Sequence, residues 1–144
     1  METEIKYGKV AREGLMKGIN KLADAVVSTL GPAGRNVVIY KGVMDAPVST
    51  KDGVTVAKSF VQTNSSEQLG QLLVRQAAMK TGEKAGDGTT TSTLLAREMI
   101  QNGLQALDNG ENAVQIKRDI DANVKKVIDN LNNNIAEDIS GENQ

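Results

Sequence analysis

Ala85-Gly86-Asp87-Gly88-Thr89-Thr90-Thr91-Ser92-Thr93 puts one carboxylate between two glycines, ahead of a run of hydroxyls. Glycine admits positive φ and lets a ligand approach the backbone closely. The apolar helical pattern starts at Leu94, so the threonines fall where a helix begins. The first N–H groups of a helix have no carbonyl one turn back, and together with the helix dipole they favour an anion. The stretch is a phosphate site in outline, with Asp87 placed to offer oxygen to a divalent cation carried by the phosphates. A Gly-Asp turn followed by a threonine N-cap accounts for the same residues without a ligand.

Two other loops share this chemistry: Thr29-Leu30-Gly31-Pro32 and Lys51-Asp52-Gly53. A phosphate cradle needs small residues, free N–H groups and positive charge, and a hydrolytic site adds a carboxylate that orients water. The three loops supply all of these between them. Each also has a plain reading: Gly31-Pro32 as a helix stop, Asp52-Gly53 as a turn. Neither G-x-x-x-x-G-K-S/T nor a G-x-G-x-x-G following a strand is present, which excludes a Walker or Rossmann site.

Composition narrows the chemistry further. The 144 residues suit one domain with a real core. There is no cysteine and no histidine, so thiolate or imidazole metal sites and histidine-based triads are excluded. Seventeen basic and 18 acidic residues leave a net charge of -1, which provides no field for nucleic acid or an anionic membrane. Two tyrosines and one phenylalanine are too few for a base-stacking platform. No apolar run reaches membrane-spanning length, and Met1-Glu2-Thr3-Glu4 is not a targeting pattern, so the expected compartment is the cytoplasm.

The elements that must position the loops follow from periodicity. Ile5 and Tyr7 alternate, as in a brief strand or free arm. Leu15, Ile19, Leu22, Val26 and Leu30 form one helical stripe that must stop at Gly31-Pro32. Val37-Val38-Ile39-Tyr40 and Pro47-Val48-Ser49-Thr50 read as a hairpin, and Val54–Ala57 as a strand or a helix start. A helix over 66–81 would use Leu69, Leu72, Leu73, Gln76, Ala77 and Lys80. Another runs over 89–107 on Leu94, Leu95, Met99, Ile100, Leu104 and Leu107, and Asn109-Gly110 closes it. The last covers 112–134 with Ala113, Ile116, Ile120, Val124, Val127, Leu131 and Ile135 as its stripe. Residues 140–144 are polar and carry no structural signal. The expected fold is mostly α, with a small β-hairpin.

Taken together, Thr29-Leu30-Gly31-Pro32-x-Gly34-Arg35-Asn36-Val37-Val38, Lys51-Asp52-Gly53-Val54-x-Val56-Ala57 and Ala85-Gly86-Asp87-Gly88-Thr89-Thr90-Thr91 resemble the N-terminal equatorial segment of the Hsp60-type chaperonins. Order and spacing match, as do Leu22-Ala23-Asp24-Ala25-Val26 before the first block and Lys117-Arg118-x-Ile120-Asp121 after the last. The likeness runs from about Lys6 to Leu131, and Gly34–Val38 resembles the group I, bacterial and organellar, branch. It implies an equatorial-domain-like helical bundle that C-terminal helices complete, with residues 1–144 as the N-terminal part and the intermediate and apical domains absent.

The resemblance also implies roles. Asp87 would bind the Mg²⁺ that bridges the phosphates of ATP or ADP, and Gly88, Thr89, Thr90 and Thr91 would cradle the phosphates. Thr29, Leu30, Gly31 and Pro32 would line the nucleotide pocket, and backbone oxygens of Thr29 and Lys51 would help hold K⁺. Lys51 would add positive charge. Asp52 would sit near the γ-phosphate and assist in placing the attacking water. The 37–50 hairpin would pair with a neighbouring subunit in a homo-oligomeric ring. Clients and co-chaperonin require the apical domain. The family's main catalytic aspartate and its adenine and ribose contacts lie in segments beyond this stretch, so little turnover is expected of these 144 residues alone. The competing expectation is a non-hydrolysing module that joins or caps a ring. Three local departures mark a divergent member, and phage origin is one reading of that divergence. Gly82-Glu83 stands where the family carries Asn-Asp; Ser59–Ser66 replaces an acidic run; and the hairpin tip, Gly42-Val43-Met44-Asp45, is one residue longer.

Overall fold

The structure, a computed structural model, describes residues 5–40, 42, 45–60 and 65–137. The acidic start, the hairpin tip around Val43 and Met44, the polar break at 61–64 and the polar end lie outside the described residues. In chain order the elements are α1 (Gly8–Val27), β1 (Val37–Ile39), β2 (Val48–Thr50), α2 (Gly53–Ser59), α3 (Ser65–Ala85), α4 (Thr89–Asp108) and α5 (Ala113–Asn134). They group into two compact units, 1–101 and 102–144. Ile5 to Tyr7 form no strand.

In the first unit the predicted α1 stripe is the core: Ile19, Leu22, Ala23 and Val26 are buried. The helix ends at Val27, earlier than the expected stop at Gly31-Pro32. Thr29 N donates to Val26 O and Leu30 N to Val27 O, three-residue bonds that tighten the last turn and swing Leu30 out to solvent. The loop closes through Arg35 N to Ser28 O at 2.8 Å. β1 and β2 pair antiparallel with Val37 opposite Thr50 and Ile39 opposite Val48, and Ile39 is the buried strand residue.

The open choice at 54–57 resolves to a helix because Asp52 caps it. Asp52 Oδ1 accepts from Val54 N (3.3 Å) and Oδ2 from Thr55 N (2.9 Å) and the Thr55 hydroxyl. That cap turns Val56 and Ala57 into the core beside Leu22, Val26, Val74 and Ala78.

The expected stripe of α3 is corrected. Leu69, Leu72 and Leu73 are 57, 40 and 50% exposed, whereas Gly70, Gln71, Val74 and Ala78 are buried. The cause is backbone-to-backbone approach. A Cβ at Gly18 would lie 1.8 Å from Glu67 O, and one at Gly70 would lie 2.0 Å from Leu15 O. Helices that meet this closely do so through small residues, and the leucines are left on the opposite face. An ion pair between Lys21 and Glu67 (2.5 Å) borders the contact. The helix also runs on to Ala85, four residues past the expected end.

In the second unit, Asn112 Oδ1 accepts from Val114 N (2.9 Å) and Gln115 N (3.2 Å) and so starts α5. Gly103, within α4, faces Ile116 and Ile120. A Cβ there would meet their methyls at 3.7 and 3.8 Å, ordinary van der Waals contact. Alanine removes the entropic cost of a helical glycine without a clash, so Gly103→Ala should stabilise the unit by about 0.5–1 kcal/mol. A higher urea midpoint at unchanged m-value checks this.

Candidate functional site

The three glycine loops meet at Gly53. A Cβ on that residue would lie 2.6 Å from Thr90 Oγ1, 3.2 Å from Thr89 Oγ1 and 3.3 Å from Val26 Cγ1. Only glycine lets the start of α2 lie against the start of α4. The 29–32 loop joins at the same place, with Thr29 Oγ1 3.5 Å from Thr90 Oγ1 and donating to Val26 O at 2.7 Å.

The start of α4 is held rigidly. Thr93 is fully buried, and its hydroxyl donates to Thr89 O at 2.8 Å. Ser92 Oγ donates to the same carbonyl at 2.9 Å. Arg97 reaches Asp24 of α1 at 2.8 Å. Ahead of this anchored turn, Gly86 (φ 74) and Gly88 (φ 78) hold left-handed conformations that present Asp87 to solvent. Gly88 N donates to Asp87 Oδ1 at 2.6 Å, so one carboxylate oxygen is fixed and the other is open.

A cavity of about 400 Å³ opens beside this loop. Asp52 and Lys58 line it from α2, Glu83 from α3, and Asp87 and Thr89 from the loop and α4. Val54 and Met79 supply apolar wall. A Cβ at Gly82 would meet Thr89 Cγ2 and Val54 Cγ2 at 3.4 Å, so that glycine keeps the floor open. Among the predicted site residues, then, Asp52, Asp87 and Thr89 share one cavity. Gly88, Thr90 and Thr91 flank it in the same turn, and Thr29 is buried against Thr90. Leu30, Gly31, Pro32 and Lys51 are exposed and do not line it.

Lys58 and Glu83 were not legible as site residues. Val54 and Lys58 are four apart, one face of a helix, but only once 54–57 is known to be helical. Met79, Gly82 and Glu83 likewise share a face, but only once α3 is known to run past 81.

Asp52 is the perturbed acid of the cavity. The Thr55 hydroxyl is the largest cause holding its carboxyl below the ordinary 3.8; burial, second in size, opposes it, and the N–H groups of Thr55 and Val54 and the charge of Lys58 add to the lowering. A folded-state pKa below the unfolded one adds stability that is full above 3.8 and lost as pH falls through the lowered value. Asp52→Ala should therefore cost about 1 kcal/mol at pH 7 through the lost cap. The gap to wild type should narrow as pH drops below 3.8, a trend that urea titrations at pH 7 and pH 3 would read.

No three carboxylates among the described residues come close enough to hold a metal by themselves. Asp87 with one open oxygen suits instead a magnesium ion that keeps waters and takes its other ligands from phosphate. The first N–H groups of α4, which have no intrahelical partner, suit the phosphates themselves.

Comparison with known proteins gives the family of the chain. Residues 22–144 match the TCP-1/cpn60 chaperonin family. Among solved structures, the chaperonin gp146 from the bacteriophage EL 2 (Pseudomonas aeruginosa), crystallised in presence of ATP-BeFx, is similar in two crystal forms. Form II superposes with a TM-score of 0.69 at 36% identity, over 87% of this chain and 22% of that one. Form I gives 0.68 at 36% identity over the same shares. This chain thus spans about a fifth of the length of the structures it matches. No described helix is long and apolar enough to cross a membrane. The matched span includes all three glycine loops, the hairpin, α2 to α5 and the end of α1, and the chain belongs to the TCP-1/cpn60 chaperonin family.

Proposed function

We propose that residues 1–144 form the N-terminal, phosphate-binding and ring-contact part of the equatorial domain of a cytoplasmic, ATP-dependent chaperonin. The observation that carries this reading is the meeting of three loops at Gly53, beside a cavity that Asp52, Asp87 and Thr89 share. The presence of ATP-BeFx in the gp146 crystals supports it.

On this reading Asp87 offers its open oxygen to Mg²⁺, and Gly88 to Thr91 donate N–H and hydroxyl hydrogens to phosphate oxygens. Bound magnesium supplies charge neutralisation on the phosphates. Thr29, Leu30, Gly31 and Pro32 form the adjoining rim, and the carbonyls of Thr29 and Lys51 are the candidate K⁺ ligands. Lys51 adds charge from outside the cavity. The cap of α2 takes one acceptor site on Asp52 Oδ1 and both on Oδ2, which leaves about one site on Oδ1 with which it can still orient a water. The hairpin consists of two paired strands among the described residues, which leaves outer edges for strands of a ring neighbour. Clients and co-chaperonin would engage other parts of such a subunit.

Calorimetric titration of the full chain with ATP, with and without magnesium, tests the reading. One saturable, magnesium-dependent site with slow or no turnover is expected. Absence of binding, or binding indifferent to magnesium, would overturn it.

A further inference from the structure

The cavity beside Asp87 carries an electrostatic problem that its predicted residues do not solve. Three carboxylates, Asp52, Glu83 and Asp87, line it, and a phosphate chain entering there would be repelled by each of them. A magnesium ion on Asp87 answers for one. The wall made by α2 keeps Asp52, ionised and held so by the cap of its own helix. Lys51, the cation expected beside the phosphates, does not line the cavity.

Lys58 does line it, and it is the one basic side chain that does so among the described residues. It sits on the α2 face that also presents Val54, so the backbone of a capped helix sets its position. Its ammonium makes no ion pair or hydrogen bond among the described residues. Its charge nevertheless acts on Asp52. An ammonium kept beside three carboxylates but bound to none is available to an anionic ligand, and its flexible stem lets it follow that ligand.

We infer that Lys58 reads the terminal phosphate of the nucleotide, lying across the cavity from the start of α4 and offsetting Asp52 and Glu83, so that triphosphate is favoured over diphosphate. This rests on the phosphate-site reading above and adds a specificity-determining residue to it. The α- and β-phosphates belong to the N–H groups at the start of α4 and to the metal on Asp87. The wall formed by Asp52 and Lys58 is left for the end of the chain. A terminal phosphate facing Asp52 alone would be expelled, and with Lys58 present it is retained.

The test is titration of the full chain with magnesium-ATP and, separately, magnesium-ADP, for wild type, Lys58→Met and Lys58→Arg. Lys58→Met should weaken ATP about tenfold and leave ADP within about twofold, the order expected for one charge-assisted contact. The ATP deficit should shrink as salt is raised. Lys58→Arg should recover most of the ATP preference, which a merely structural role for the stem would not require, and thermal midpoints should match across the three proteins. Equal weakening of both nucleotides, or no weakening, would overturn the inference and leave the phosphate site standing. Wild type that binds neither nucleotide would overturn the phosphate site and the inference with it.

Discussion

Asp87→Lys is expected to abolish magnesium-dependent nucleotide binding, with a loss of at least about a hundredfold, or about 2.8 kcal/mol. The wild-type carboxylate has one oxygen held by Gly88 N and the other open to solvent. On the proposed reading lysine removes the metal ligand and puts a cation where the metal would sit, so the two effects add. The fold should survive, because Asp87 is exposed and the glycines on either side set the loop. The lost bond to Gly88 N costs about 0.5–1.5 kcal/mol of stability, well short of unfolding. Asp87→Asn separates the contributions. It keeps an oxygen for Gly88 N and loses only charge, so it should match wild type in urea melts and still bind magnesium-ATP far more weakly. Affinity in Asp87→Lys equal to wild type would remove Asp87 from the site.

The largest effect on stability is expected from Gly18→Ala. In most helix interiors this exchange stabilises by about 1 kcal/mol. Here the new Cβ would lie 1.8 Å from Glu67 O and 2.6 Å from Glu67 C. These are backbone atoms in the middle of a helical contact, and no rotamer change relieves them. α1 and α3 must separate, which opens the packing of Ile19, Leu22, Val74 and Ala78. We expect a loss of at least about 3 kcal/mol, at the upper end of overpacking effects and comparable with a large core truncation. Chemical denaturation of wild type, Gly18→Ala and Gly103→Ala reads it directly. The same exchange in two helices should move stability in opposite directions. A Gly18→Ala protein as stable as wild type would mean that α1 and α3 do not meet as described.

Much of this was legible from residue order alone. The apolar spacing from Ile19 to Val26 found the face of α1 that forms the core, because a helix buried on one side leaves that period in its residues. Local chemistry marked the hairpin, the start of α4 and the start of α5, since turns and caps depend on neighbours in the chain. Three short motifs in fixed order pointed to the family, and each of their glycine loops belongs to the first compact unit.

Tertiary structure decided the rest. Leucine periodicity assigned α3 the wrong face, because its contact with α1 is made through Gly18 and Gly70. A hydrophobic pattern reports side-chain volume, and close backbone approach needs its absence. The state of 54–57 hung on Asp52 serving as a cap, which short β-branched runs do not reveal. Lys58 and Glu83 came to the cavity only through the helical phase of α2 and the added turn of α3. Sequence determined which groups are offered for the proposed phosphate site: one carboxylate between glycines, a run of threonines, a second carboxylate before a glycine. Their meeting at Gly53 was decided by the fold, because it depends on the space that a missing Cβ leaves between segments far apart in the chain.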